Sequence, residues 1–445
     1  MAPNMHLAFV LGHGPSQHSI GAWAMPKAYR GFNYAQPGFW EHLARTLDRG
    51  CIDMLFFADM YGVYDVFEGK ADAAVKYAIQ FPLHDPAHLV PLITRATKGL
   101  GVGISISTTY VPPYHTARSM ATLDHLSEGR VAWNVVASYG RNAAAQFNMT
   151  EELSKEERYA RAEEYMQVCY KLWDSWEPDA VVMDRGDGDG DGGLMFADPA
   201  KVHKIHHKGE YFQVEGPLCV APGPQGRPVI IQAGGSGPGM DFAGRHAEIH
   251  FATSSSLEGM AEHRVRIDAS AQKAGRKAED IRMLWASSVF LGDTEAEAKA
   301  KDEALRAMVP PDGGLALMSG HFGVDFSTLP TEIPIEETGI EDTPGMQGIA
   351  NMLLRDYKGQ TLAEVARMYG NGMGGFRAIG TAAQVADKME EAYEVSGGHG
   401  FMFRGGELPG SVNDVVDLLV PELQRRGRFR TAYEGETLRD RLLSD

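Results

Sequence analysis

Nearly continuous apolar runs at residues 5–10, 54–59, 101–108, 131–138 and 228–234 alternate with segments whose apolar residues recur every three or four positions. An unbroken apolar run reads as a strand buried on both faces, as parallel strands are, whereas a half-wetted antiparallel strand alternates. Between the runs, Phe39, Leu43 and Leu47 make one helical stripe, and Met120, Leu123 and Leu126 make another. Strand, helix, strand repeated in this way dictates a parallel sheet. Further runs at 250–253, 281–291 and 400–403 supply strands six to eight, enough to close a TIM (β/α)8 barrel. Two stretches interrupt the repeat. Residues 182–217 carry a Gly/Asp run and a hairpin pattern at 207–214, and residues 310–380 are rich in Gly, Pro and acidic side chains. The expected architecture is therefore one α/β barrel domain over 1–445 with insertions at about 182–217 and 310–380, the second long enough to be a lid over the active face.

The formal net charge of −17 argues against nucleic acid, because a phosphate backbone needs a basic face. Cys51, Cys169 and Cys219 are odd in number and far apart, with no CxxC pair, which points to a reducing cytoplasm and no disulfide framework. The opening MAPNMHLAFVLGHG lacks a basic leader and a long apolar core, and no run approaches the roughly 20 apolar residues of a membrane helix. A soluble cytoplasmic protein is expected.

Active sites of these barrels lie at the C-terminal ends of the strands, so polar residues that close apolar runs are the candidates. Asp59 closes the second run, Ser107, Thr108 and Thr109 the third, Asn134 and Ser138 lie in and after the fourth, and residues 232–236 follow the fifth. Ser154 with Glu157 forms a capping box opening a helix that runs to Trp173, and its first turns carry Lys155 and Tyr159. A helix N-terminus with exposed N–H groups, beside the glycine loop that holds Gly235 and Ser236, is a seat for phosphate. No GxGxxG or GxxxxGK[ST] occurs between a strand and a helix, which excludes Rossmann and P-loop readings.

The runs TTYVPPYHTAR (108–118) and TLDHLSEGRVAWNVV (122–136) carry a specific likeness, as do ERY (157–159), DPAKVH (198–203), PVIIQAG (228–234), VPELQRRG (420–427) and TLRD (437–440). Over essentially its whole length the chain resembles the bacterial-luciferase-like two-component flavin monooxygenases that include the nitrilotriacetate, dibenzothiophene-sulfone, dimethyl-sulfide and long-chain-alkane enzymes. The resemblance implies FMN, as FMNH2 delivered by a separate NAD(P)H:flavin reductase, O2 as co-substrate, oxygenation of a small organic molecule through a C4a-peroxyflavin, a role in xenobiotic degradation, and a homo-oligomer, dimer or tetramer. Carried onto matching positions, it implies Asp59 and Thr108 near the isoalloxazine ring, Asn134 and Ser138 beside it, and Tyr159 with Ser236 at the phosphate. Lys155 stands where several relatives have His and can still meet phosphate as a point charge. Tyr64, Gln80, Tyr139 and His321 are the candidates for orienting oxygen and substrate, His321 from the expected lid. Alkane-oxidising relatives carry His at the place of Tyr139 and a Cys near that of Gly14, which argues against alkane hydroxylation here. The apolar character of 60–67 and 77–82 favours a small or elongated apolar substrate over a polyanion.

Asp187, Asp189, Asp191 and Asp198 imitate a calcium loop but lack clear flanking helices, and of His203, His206 and His207 two fall on a hairpin edge, where adjacent histidines point apart. No metal site is expected. Two rival functions are a deazaflavin-dependent oxidoreductase, which would not use O2, and a non-catalytic flavin-binding protein.

Overall fold

The apolar runs fold as parallel strands whose two faces pack differently. The computed structural model describes residues 5–15, 18–29, 33–186 and 193–443. Its principal strands are β1 (His6–Gly12), β2 (Met54–Ala58), β3 (Gly101–Ser107), β4 (Val131–Val136), β5 (Val229–Gln232), β6 (Ile249–Ala252), β7 (Arg282–Leu291), β8 (Phe376–Gly380) and β9 (Gly400–Arg404). In the order β1-β2-β3-β4-β5-β6-β7-β9, with β9 returning to β1, they close a parallel barrel. The polar residues that close the runs sit at the C-terminal face: Asn134, Ser107 and Gln232 near the ends of their strands, and Asp59, Thr108 and Ser138 in the loops that leave them.

Side-chain alternation sorts the strands into an inner and an outer core. Ala8, Val10, Met54, Phe56, Ala132, Ile231, Leu284 and Met402 fill the barrel interior. Leu7, Phe9, Leu11, Leu55, Phe57, Val131 and Trp133 point outward against the surrounding helices. Leu438 and Leu442 from the C-terminal helix Leu438–Leu443 join the inner cluster and floor the barrel at the starts of the strands. An Asp53–Arg430 ion pair and bonds from Arg282 to the carbonyls of Leu442 and Leu443 tie the tail there.

The second insertion differs from its expected form at its end. Its last part is strand: β8 pairs with residues 287–291 of β7, whose first half pairs with β9. The remainder is a packed helical cap, built on Pro311–Phe322, Gln347–Asp356 and Leu362–Gly370. Leu317, Met318, Phe322, Phe326, Leu353, Val365 and Tyr369 form its own core, joined by Phe67 and Ile79 from the loop after β2. Glycine and proline density misleads here because Pro311 starts a helix, where its missing N–H costs nothing.

The first insertion forms a ribbon of Val181–Asp184 with Met195–Ala197 and a hairpin of His207–Lys208 with Gln213–Val214. The Gly/Asp run 187–192 lies outside the described residues. His203, His206 and His207 go to three different carboxylates, Glu177, Glu215 and Glu164. The three cysteines are free thiols, and among the described residues no helix is long and apolar enough to cross a membrane.

Candidate active site

Above the inner core, the C-terminal ends of the strands and the cap enclose a cavity of about 420 Å³. Asp59, Tyr64, Gln80, Asn134, Ser138, Tyr139, Lys155, Tyr159, Gly235, Ser236 and His321 all line it, so one cavity gathers residues spread from strand two to the cap. Thr108 is the exception among the candidates. Gly103 faces the interior, where an added Cβ would touch Met54, Phe56 and Ile231, so Ser105 and Ser107 share that parity and Thr108 does not. Thr108 is buried with its hydroxyl on the Val136 carbonyl, and Ser105 takes the wall position instead.

At the side formed by β5 and helix Lys155–Trp173, Ser236 caps helix Gly237–His246 by accepting from Gly239 N at 3.3 Å. The expected capping box of Ser154 and Glu157 opens the neighbouring helix. The Tyr159 hydroxyl lies beside the Ser236 and Gln232 side chains, which act to lower its pKa against burial. It stands so close to the glycine loop that a Cβ at Gly234 or Gly239 would come within 2.9 or 2.7 Å of it. Lys155 makes no ion pair with a described residue, and Arg266 reaches the Gly235 carbonyl at 3.2 Å. Two helix N-termini, two cations and a glycine loop make a seat for an anion. The cap closes over it at Gly348, whose backbone touches that of Gly235 so tightly that a side chain at either position would push the two apart.

Toward the barrel axis, Ser105 Oγ donates to the Phe57 carbonyl and accepts from Asn134 Nδ2 at 3.0 Å. That leaves Asn134 Oδ1 buried with no partner, in a residue that lines the cavity. Burial, with Asp85 adding, pushes the Asp59 carboxyl up to about 7 against the opposing bond from Met60 N.

Under the cap a chain of hydrogen bonds links the remaining candidates. The Tyr64 hydroxyl donates to Gln80 Oε1 at 3.2 Å, Gln80 Nε2 meets His321 Nε2 at 3.4 Å, and His321 Nδ1 meets the Tyr369 hydroxyl at 2.7 Å. The Tyr139 hydroxyl lies near Tyr64 at the other end, and the two phenols influence each other's pKa. Burial, aided by the charges of His18 and Arg404, pulls the His321 pKa down to about 3, so the imidazole is neutral. Since Gln80 offers an N–H to Nε2, the His321 proton is assigned to Nδ1 and given to Tyr369. Gln80 and His18 both hold positive φ, 47° and 64°, a strained backbone that concentrates at working sites. Gly320 lets the Tyr64 ring lie flat against the cap helix, for a Cβ there would fall 2.2 Å from that ring.

Several wall residues escape the sequence reading. Ser105 is recoverable from strand parity, and Arg404 from the rule that found Asp59, had the eighth run been carried one residue further. His18, Thr253 and Arg266 leave no periodic signal, since they lie in loops or on a helix whose face only packing decides. His263, also on the wall, bonds the buried His250 at 3.0 Å between Nε2 atoms. Among the described residues no group of three or more His, Cys, Asp or Glu stands close enough to hold a metal.

The sequence pattern of luciferase-like monooxygenases matches residues 19–400. The chain is 39% identical over 443 residues to dibenzothiophene-sulfone monooxygenase of Rhodococcus erythropolis (strain XP), covering 98% of this chain and 96% of that one. It is 36% identical over 432 residues to nitrilotriacetate monooxygenase component A of Aminobacter aminovorans, covering 95% and 93%. The crystal structure of long-chain alkane monooxygenase superposes with a TM-score of 0.89 at 35% identity, covering 100% of this chain and 96% of that one. A closed barrel, a polar cavity at its C-terminal face and similarity along the full length agree: the chain belongs to the luciferase-like monooxygenase family.

Proposed function

We propose that the protein takes FMNH2 from a separate NAD(P)H:flavin reductase and, with O2, oxygenates a small or elongated, mostly apolar organic molecule. The observation that carries this reading is the cavity itself, which joins an anion seat at one side to a buried Tyr–Gln–His–Tyr network at the other. The residues fit FMN. Tyr159, Ser236, Gly235 and Lys155 would hold the phosphate; Asn134, with its unsatisfied Oδ1, would accept from an N–H on the isoalloxazine edge. Asp59 and Ser138 would flank the ring, and the contact expected of Thr108 passes to Ser105. When bound, reduced flavin supplies the electrons that activate O2.

The chain's own part is to position, to hold protons and to exclude water. The Tyr64 phenol, held far above its ordinary pKa by burial, stays protonated and can donate. Gln80, fixed between Tyr64 and His321, orients both. Tyr139 extends the chain of donors, and neutral His321 keeps its proton on the Tyr369 side. The cap roofs the cavity through Gly320, His321, Met346 and Gly348, which keeps a reactive oxygen species from solvent. The name nitrilotriacetate monooxygenase component A supports a second component as the electron source. The working form we propose is a homodimer or homotetramer.

The test is turnover. Supplied with FMNH2 from an unrelated flavin reductase and O2, the chain should convert members of a panel of apolar sulfides, sulfones and amines, with one O2 consumed per product. NADH oxidation by the isolated chain would refute the two-component scheme, and turnover with a reduced deazaflavin in the absence of O2 would replace it with hydride transfer.

A further inference from the structure

Arg404 is the last residue of β9, in register with Val10 of β1. Met402, two residues earlier on the same face, lies in the inner core, so Arg404 projects into the barrel one layer higher, where it lines the cavity. It is only 7% exposed. Its Nη1 donates to the carbonyls of Gly372 and Gly374, and Nη2 to Thr253 Oγ1 at 3.3 Å. These acceptors are all neutral. No carboxylate among the described residues pairs with it, whereas the buried Arg158 and the partly buried Arg377 and Arg430 each have one, Glu152, Asp302 and Asp53. Arg130 and Arg441 are also buried without an ion pair to a described carboxylate, but neither lines the cavity: Arg130 sits in packing with Nε, Nη1 and Nη2 all bonded to protein oxygens, and Arg441 donates to the Gly99 carbonyl and lies over the Tyr433 ring. Arg404 faces open space and its Nε makes no bond to a described residue. Burial pulls the guanidinium down to about 10, which leaves it fully charged at neutral pH.

A desolvated cation on a cavity wall is a large unfavourable term unless a counter-charge meets it. The anion seat at Tyr159 and Ser236 belongs to β5 and its neighbouring helices, away from β9 in the strand order. The carbonyls that Arg404 bonds, Gly372 and Gly374, instead flank Met373, whose sulfur meets Gln80 Nε2 at 3.9 Å, so Arg404 stands on the side of the Tyr64–Gln80–His321 network. The cavity that it lines also offers an apolar wall, with Val10, Phe56, Phe251, Met352 and Met373. We propose that Arg404 is a specificity residue that receives the oxyanion, carboxylate or sulfonate, of a substrate whose body is apolar. This deepens the reading of the cavity as an oxygenase pocket and rests on it. It sharpens the sequence expectation of an apolar substrate by giving that substrate one charged end, while still rejecting polyanions, since one guanidinium can neutralise only one group.

The flavin-free full-length chain would be titrated calorimetrically with hexanesulfonate, hexanoate and 1-hexanol. Wild type should bind the two anions roughly 10- to 100-fold more tightly than the alcohol, the range of one charge-assisted contact. Arg404→Met should erase that preference and Arg404→Lys should keep part of it, with hexanol affinity unchanged in both. Equal wild-type affinity for anions and alcohol overturns the proposal, and this arm holds even if a variant fails to fold. A preference that survives Arg404→Met also overturns it. Loss of FMN affinity in Arg404→Met without any wild-type anion preference assigns the charge to the flavin instead. Anion preference in a chain that does not bind FMN would leave this inference standing and remove the oxygenase reading.

Discussion

Replacing Tyr159 by Phe removes one oxygen atom from the centre of the anion seat and little else. The ring stays packed on Phe242, at 5.8 Å between centroids, so the helix keeps its seat on the barrel. What disappears is the hydroxyl that lies beside Ser236 and Gln232 and closes on Gly234 and Gly239. One hydrogen bond to a phosphate oxygen is worth about 1.5–3 kcal/mol, or roughly 10- to 150-fold in affinity. The folded chain loses only neutral bonds, so its stability should fall by about 1 kcal/mol. Anaerobic titration with FMNH2 and with reduced riboflavin separates the effects, because riboflavin has the ring and ribityl chain but no phosphate. The Tyr159→Phe protein should lose FMNH2 affinity by the stated factor and keep its riboflavin affinity. Ser236→Ala should do the same, and since the two hydroxyls are neighbours in one seat, the double variant should depart from the sum of the two. Equal weakening toward both flavins would refute the assignment and move the phosphate elsewhere.

Two further outcomes follow from the burial of single groups. Asp59 has a folded-state pKa of about 7 against an ordinary 3.8, so the protonated form contributes stability that is lost as pH rises from the ordinary value through 7; Asp59→Asn should flatten this part of the pH profile of urea unfolding, and an unchanged profile would show that Asp59 does not titrate there. Leu438 is fully buried in the barrel floor, so Leu438→Ala should lower stability by about 2–5 kcal/mol in chemical denaturation while leaving FMNH2 affinity intact, and an unchanged midpoint would mean that the tail does not plug the barrel.

The strand runs were legible because parallel strands covered on both faces need unbroken apolar sequence, and that need appears in any window of six residues. For the same reason the polar residues that close those runs pointed to Asp59, Asn134 and Ser138. The capping box at Ser154 and Glu157 was equally local. Where a residue faces depends on alternation counted from the true strand, and there Thr108 and Ser105 exchange places by a shift of parity. Strand β8 stayed hidden because its short run gains its partners only from the upper half of β7, far off in the chain. The helical cap stayed hidden because glycine and proline look alike whether they break a helix or begin one.

What sequence alone determined is the barrel, its covering helices and the edge on which a site can form, since local periodicity and caps encode these. What only tertiary structure decided is which side chains meet. Gln80 touches His321 across 241 positions and His321 touches Tyr369 across 48, contacts fixed by how the cap's own core docks on the loop after β2. Arg404 shows the same division most clearly: sequence places an arginine after an apolar run, but only the closed barrel buries it, withholds a carboxylate and leaves its charge facing the cavity.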